Sequence, residues 1–293
     1  MPWRIAGAKA RVTSDAPGKG EGVSGEKVRQ RSPSFADHYS QARLFFRSMA
    51  EPEQRHIVSA FAFELAKVEI VDIRRRMLEH LTIVDAALGG GVAEALGLEA
   101  PAKGGGGPAS AVKPAVPPVD AKESPALSIL KKAKPTLMGR KVALLMTDGV
   151  DGDAIGRWRA ALAREGARLV LVAPKIGGVA VGHPKGKGAR LPADHALSGA
   201  PSVLFDAVLV AGGKAGLDAL SKEAAGVDWL RDAFGHLKVI GHVKEAESLL
   251  ATAGAKADRG MVEVSLAGGI GAFIAAAKEG RVWEREPSLR SPG

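Results

Sequence analysis

The chain has 293 residues, enough for two domains with a core each, and 46% hydrophobic with 25% charged residues describes a globular protein, not a fibrous or membrane-embedded one. Cysteine is absent, which excludes disulfides, thiolate metal sites and cysteine catalysis. No run approaches the roughly 18–20 apolar residues that cross a bilayer, and residues 1–20 lack the apolar core of a signal peptide, so the expected location is cytoplasmic.

The net charge of +9 suggests nucleic acid until it is mapped. Residues 1–34 carry seven Lys/Arg against three Asp/Glu, and residues 99–140 again seven against three, so these two segments hold +8 of the +9. Both are rich in Gly, Pro, Ala and Lys and bury too little apolar surface to fold, so a solvated tail and linker is the better reading. The aromatic interleaving used for single strands is missing as well, since Trp3, Trp158, Trp229 and Trp283 are scattered.

In chain order, residues 1–25 read as a disordered basic tail and 26–98 as a small all-α module. Ser40 is a candidate helix cap. A second helix begins near Pro52, with Ile57, Phe61, Leu65 and Val68 on one face. Ile73, Met77, Leu81, Val84 and Leu88 mark an amphipathic helix stopped by Gly89-Gly90-Gly91, and a short helix over 92–96 follows. Arg74, Arg75 and Arg76 cannot all face one way on a helix, which makes them surface charge and not a nucleic-acid stripe.

This module, in Arg29-Gln-Arg-Ser-Pro-Ser-Phe-Ala-Asp-His-Tyr-Ser-Gln-Ala-Arg-Leu-Phe, Glu53-Gln-Arg-His-Ile-Val and Phe63-Glu-Leu-Ala-Lys-Val, closely resembles the helical segment that follows the haem barrel in large-subunit catalases. The resemblance implies a linker and a flavodoxin-like domain next. It also implies that haem is held elsewhere, because the family's proximal Tyr and distal His and Asn come from the barrel, whereas the single tyrosine, Tyr39, lies in the helical segment.

Residues 99–138 read as a Gly/Pro/Lys-rich linker. From 139 to 290 short apolar strands at 141–146, 168–173 and 207–210 alternate with helices, and 179–181 with 189–191 suggest a hairpin. The fold class is therefore α/β, a doubly wound parallel sheet behind a helical module. The stretch Lys238-Val-Ile-Gly-His-Val-Lys-Glu-Ala reads as a strand turning sharply into a helix, the setting of a nucleophile elbow.

This half resembles the class I glutamine-amidotransferase-like superfamily, which holds intracellular proteases and protein deglycases, and the C-terminal domain of large catalases. By that resemblance the nucleophile falls on Gly241, followed by His242, the oxyanion-hole glycines on Gly212 and Gly213, and the acidic residue near Asp151. Glycine has no attacking atom, so no amidase, protease or deglycase activity is expected. The two glycine amides are expected to point still at the old site, which leaves Gly212, Gly213, Gly241 and His242 as a candidate small-anion cleft.

Other candidates are weaker. His242 reads better as structural than as a general base, and although His183 and His195 with Asp194 could hold a metal, spacing of this kind without a third helical ligand is common by chance. Gly268-Gly269-Ile270-Gly271 reads as a tight turn and not a phosphate cradle, and Lys185 with Lys187 as a solvated loop.

The resemblance implies the C-terminal part of a large-subunit catalase, accessory to hydrogen peroxide detoxification and oxidative-stress response and itself non-catalytic, binding no cofactor. The expected partner is a haem-barrel catalase subunit or a second copy in a homo-oligomer. The alternative is a self-associating, holdase-like domain with apolar surface exposed around Phe45, Phe46, Phe61 and Phe63.

Overall fold

The computed structural model describes residues 32–101, 112–182, 189–267 and 269–290, and the chain divides after Ala133 into a helical unit and an α/β unit.

The helical unit contains α1 (Ser40–Ser48), α2 (Glu51–Ala66), α3 (Val71–Val84) and α4 (Ala86–Ala95). Asp37, not Ser40, caps α1: its Oδ1 accepts the Tyr39 and Ser40 amides at 3.2 and 3.0 Å. A carboxylate suits the positive end of a helix better than a hydroxyl, and it frees the Ser40 oxygen for another donor. The third helix also ends earlier than its apolar spacing suggests. Asp85 turns extended at φ −158° and accepts the Ala87 amide, so Leu88 and Gly89-Gly90-Gly91 lie inside α4 instead of stopping α3. At Gly89 the reason is close approach, since a Cβ would fall 2.1 Å from Thr82 Oγ1. Phe46, Leu65, Leu78, Leu81, Leu88 and Val92 form the core. Ile73 and Met77, the first part of the expected stripe, stay exposed.

Residues 112–133 fall within the expected linker, yet they run as an ordered strap on this unit. Val119 N donates to Ser40 Oγ at 2.7 Å and Ser124 N to Ser48 Oγ at 2.9 Å. Asp120 pairs with both Arg43 and Arg47 at 2.8 and 2.7 Å. Glu53 caps its own helix through Ala50 N and also accepts Ser128 Oγ and Ile129 N at 2.5 and 2.8 Å. A strap whose apolar residues stay mostly exposed is thus held by polar groups of α1 and α2.

The α/β unit has β1 (Lys141–Met146), α5 (Gly152–Arg164), β2 (Arg168–Ala173), the hairpin β3 (Val179–Ala180) and β4 (Arg190–Leu191), β5 (His195–Ala196), β6 (Ala207–Ala211), α6 (Lys214–Leu220), α7 (Ala224–Gly235), β7 (Ile240–His242), α8 (Glu247–Thr252), β8 (Met261–Glu263) and α9 (Gly271–Lys278). Six parallel strands take the order β5-β2-β1-β6-β7-β8. That is a flavodoxin-like wound sheet with one extra edge strand, and buried β1, β2 and β6 explain the continuous apolar runs. From β1 the chain winds outward through β2 and then returns to β6 on the other side, so a switch-point crevice opens at the carboxyl ends of these strands.

The C-terminal segment is tied in by Arg285, whose buried guanidinium meets Asp258 at 2.6 and 3.0 Å and donates to Phe234 O and Lys238 O. Burial alone would raise the Asp258 carboxyl; the Arg285 bonds and the Gly260 and Met261 amides outweigh it and hold it below the usual carboxylate value.

Candidate functional site

The expected elbow does not form at Gly241. Gly241 lies within β7, registered between Leu209 of β6 and Val262 of β8, and its φ is not in the left-handed region. The chain leaves the strand through Val243 at φ −77° and ψ 157°, ordinary extended backbone, before the turn Lys244–Ala246 and α8. No strain is stored where a nucleophile would be presented.

What glycine provides here is space. A Cβ at Gly241 would fall 2.5 Å from Leu209 Cδ2 and 2.7 Å from Phe273 Cδ2, closer than side chains tolerate. Phe273 of α9 is fully buried against the sheet. The space beside Gly241 is therefore packed shut.

The glycines after β6 are committed as well. Gly213 N donates to Asp148 O at 2.9 Å, so this amide does not point at an old oxyanion site as expected. A Cβ at Gly212 would sit 1.9 Å from Thr147 Oγ1, which makes this glycine a contact between β6 and the end of β1. Asp151 is the N-cap of α5, its Oδ1 accepting Asp153 N and Ala154 N at 2.9 and 3.0 Å. His242 is half-buried, with Nδ1 3.2 Å from Val243 O. The register places Gly212, Gly213 and His242 at neighbouring strand ends, but carboxylate, amide and imidazole each serve a local structural bond.

The remaining candidates divide in the same way. Asp194 Oδ2 accepts Leu171 N at 2.7 Å, sealing the edge of β2, and His195 begins β5, while His183, Lys185 and Lys187 lie outside the described residues. Among the described residues no group of three or more His, Cys, Asp or Glu is placed to hold a metal ion. Gly268 lies outside the described residues; Gly269, at φ +84°, donates to Ser265 O in a tight turn before α9. Tyr39 does not fit a haem site: its hydroxyl is 2.8 Å from His80 Nδ1 in the helical core, and iron ligation would break that pair. Also among the described residues, no helix is long and apolar enough to cross a membrane.

Sequence reasoning missed one feature. A cavity of about 310 Å³ opens between the carboxyl ends of β1 and β2 and the flank of α6, lined by Thr147, Asp148, Lys175, Arg190 and Glu223 among others. These residues are spread over 77 positions of sequence with no motif spacing, so only the winding of the sheet brings them together.

Two family models match the chain: "Catalase-related immune-responsive" over residues 32–96, and "C-terminal domain found in long catalases" over 138–287. Similar proteins include Catalase C of Rhizobium meliloti, 43% identical over 91% of this chain and 37% of the relative. Catalase HPII of Pseudomonas aeruginosa is 37% identical over 92% of this chain and 36% of its own length, and Catalase-2 of Bacillus subtilis 36% identical over 90% and 36%. The chain thus spans little more than a third of the length of these relatives. With both family models in the expected order and an α/β unit of the matching fold, the chain belongs to the family of large-subunit catalases, whose helical segment and C-terminal domain it carries.

Proposed function

We propose that this chain serves hydrogen peroxide detoxification as a non-catalytic accessory part, docking its helical unit on a haem-bearing catalase barrel while the α/β unit supports a homo-oligomeric assembly in the cytoplasm. The observation that carries this reading is the exposed apolar surface of the helical unit. Phe35, Phe63 and Ile70 are 66%, 65% and 60% exposed, and Phe45, Ile73 and Met77 also face outward. The segment matched as catalase-related carries all six, which supports reading this unit as one that packs against a partner. Phe46, by contrast, is buried in the core and belongs to the fold. The committed groups at Gly241, Gly213 and Asp151 support a non-catalytic role for the α/β unit, and the Tyr39–His80 pair supports placing haem on the partner.

Capture of partners from the cell of origin on the purified chain tests this, with the eluate scanned for the haem Soret band and assayed for peroxide decomposition. Recovery of both with wild-type chain, and loss of both when Phe45 and Phe63 are replaced by serine, is the expected result. A colourless, inactive eluate overturns it.

The same surface favours a second reading, self-association or a holdase-like role. Sedimentation of the isolated chain as an oligomer that the two serine replacements dissociate, together with suppression of aggregation of an unfolded client, would support that reading instead.

A further inference from the structure

The cavity at the carboxyl ends of β1 and β2 lies apart from the closed position at Gly241. Its floor is the Thr147-Asp148 turn and its walls are Pro174 and Lys175 after β2, the start of the β3–β4 hairpin with Arg190, and α6 with Glu223 beyond it. This is the region where wound parallel sheets receive small ligands, and about 310 Å³ is at the lower end of such pockets.

Glycine sets how closely the elements around the cavity approach. A Cβ at Gly216 would fall 2.7 Å from Thr147 Oγ1 and 2.9 Å from Asp148 O, so α6 can approach the turn only with hydrogen there. Gly178, at φ +76°, has Leu191 O where a Cβ would be. Close backbone approach at these two glycines therefore fixes where α6 and the start of the hairpin stand around the cavity.

Charge decides what fits. Two cations and two carboxylates line the space, and they do not neutralise one another. Among the described residues the side chains of Lys175 and Glu223 have no ion pair or hydrogen bond. Asp148 uses Oδ1 to accept Ala180 N at 2.7 Å, which fixes its carboxylate in the wall. Arg190 donates Nη2 to Gly178 O at 2.6 Å and Nε to Gly177 O at 3.4 Å, which fixes the guanidinium while leaving Nη1. A simple anion would meet Asp148 and Glu223, and a simple cation would meet Lys175 and Arg190. A ligand with both signs satisfies both halves.

We infer that this cavity binds a small zwitterion with a carboxylate and an ammonium group, a free α-amino acid. The carboxylate meets Lys175 and the open edge of Arg190, and the ammonium meets Glu223 and Asp148.

Calorimetric titration of the full chain with glycine, L-serine and L-glutamine tests the inference, with N-acetylglycine lacking the ammonium and glycinamide lacking the carboxylate. Saturable binding of at least one amino acid, with both blocked compounds silent, is the expected result. Lys175→Ala and Glu223→Ala change exposed side chains, so each should keep the melting temperature of the free protein while weakening the ligand by about tenfold or more. The inference is overturned if no amino acid binds, if a blocked compound binds as well as the parent, or if both variants bind like wild type.

Discussion

Phe273 stands where a side chain at Gly241 would have to be, with Phe273 Cδ2 2.7 Å from the position of its Cβ. The glycine is a packing residue: α9 lies against β7 because no Cβ intervenes. Placing a thiol there by Gly241→Cys should therefore destabilise the α/β unit by about 1–3 kcal/mol, a loss of several degrees in melting temperature, because the core is overpacked. Since the chain has no other cysteine, a thiol reagent reads this position alone. Reaction only as the protein unfolds is the expected outcome, and rapid labelling of the folded variant would show the site to be open.

Lys238 is 4% exposed, with Nζ donating to Phe205 O, and burial, helped by Arg281, lowers its pKa to about 8. Between about 8 and the ordinary value of 10.5 the unfolded chain binds more protons at this lysine than the folded one. Stability from this group therefore rises with pH across that window, by up to about 1.4 kcal/mol per pH unit. Denaturant titrations at pH 7.5 and 9.5 should show wild type gaining on Lys238→Met, whose own loss is the donor to Phe205 O. Equal pH slopes would count against it.

Glu53 joins α2 to the strap, and the strap should open when it is cut. Replacement by alanine removes the acceptor for Ala50 N, Ser128 Oγ and Ile129 N, which costs about 2–3 kcal/mol locally. Trypsin should then cleave at Lys131 and Lys132 many times faster, with Glu53→Gln intermediate. Burial pushes the Glu53 carboxyl up, but the bonds from Ser128, Ala50, Ile129 and Leu130 prevail and hold it below 4.5. The stabilisation is therefore present above 4.5 and lost as pH falls through the lower folded value, so hydrogen exchange at 128–131 should rise in acid in wild type and not in Glu53→Ala.

Gly89→Ala should destabilise the helical unit although alanine is the better helix former. The added methyl meets Thr82 Oγ1 at 2.1 Å and Thr82 backbone at 2.8 Å, and overpacking of this order costs about 1–3 kcal/mol against the roughly 1 kcal/mol gained in propensity. Thermal melts read by helical circular dichroism distinguish the two terms. A higher midpoint would mean that α3 and α4 can separate at no cost.

Strand identity was legible wherever apolar residues ran without interruption, as at 142–146 and 169–173, because a buried parallel strand needs apolar side chains on both faces. Helix ends were less so. The break at Asp85 rests on one side chain accepting one amide, a signal that the longer apolar spacing across 73–88 overrides in a linear reading. The two-residue β5 is too short to leave any period.

Residue type and order alone were enough for the two units and the wound parallel sheet. It took the folded chain to show that Leu209 and Phe273 fill the space beside Gly241, that the Gly213 amide and the Asp151 carboxylate serve local bonds, and that 112–133 lies along the helices. The same holds for the cavity that collects Asp148, Lys175, Arg190 and Glu223. The physical reason is common to all of these. A missing atom can be read from one residue, whereas the occupation of space and the pairing of a donor depend on groups tens of residues away that the winding of the sheet and the crossing of helices bring within a few ångströms.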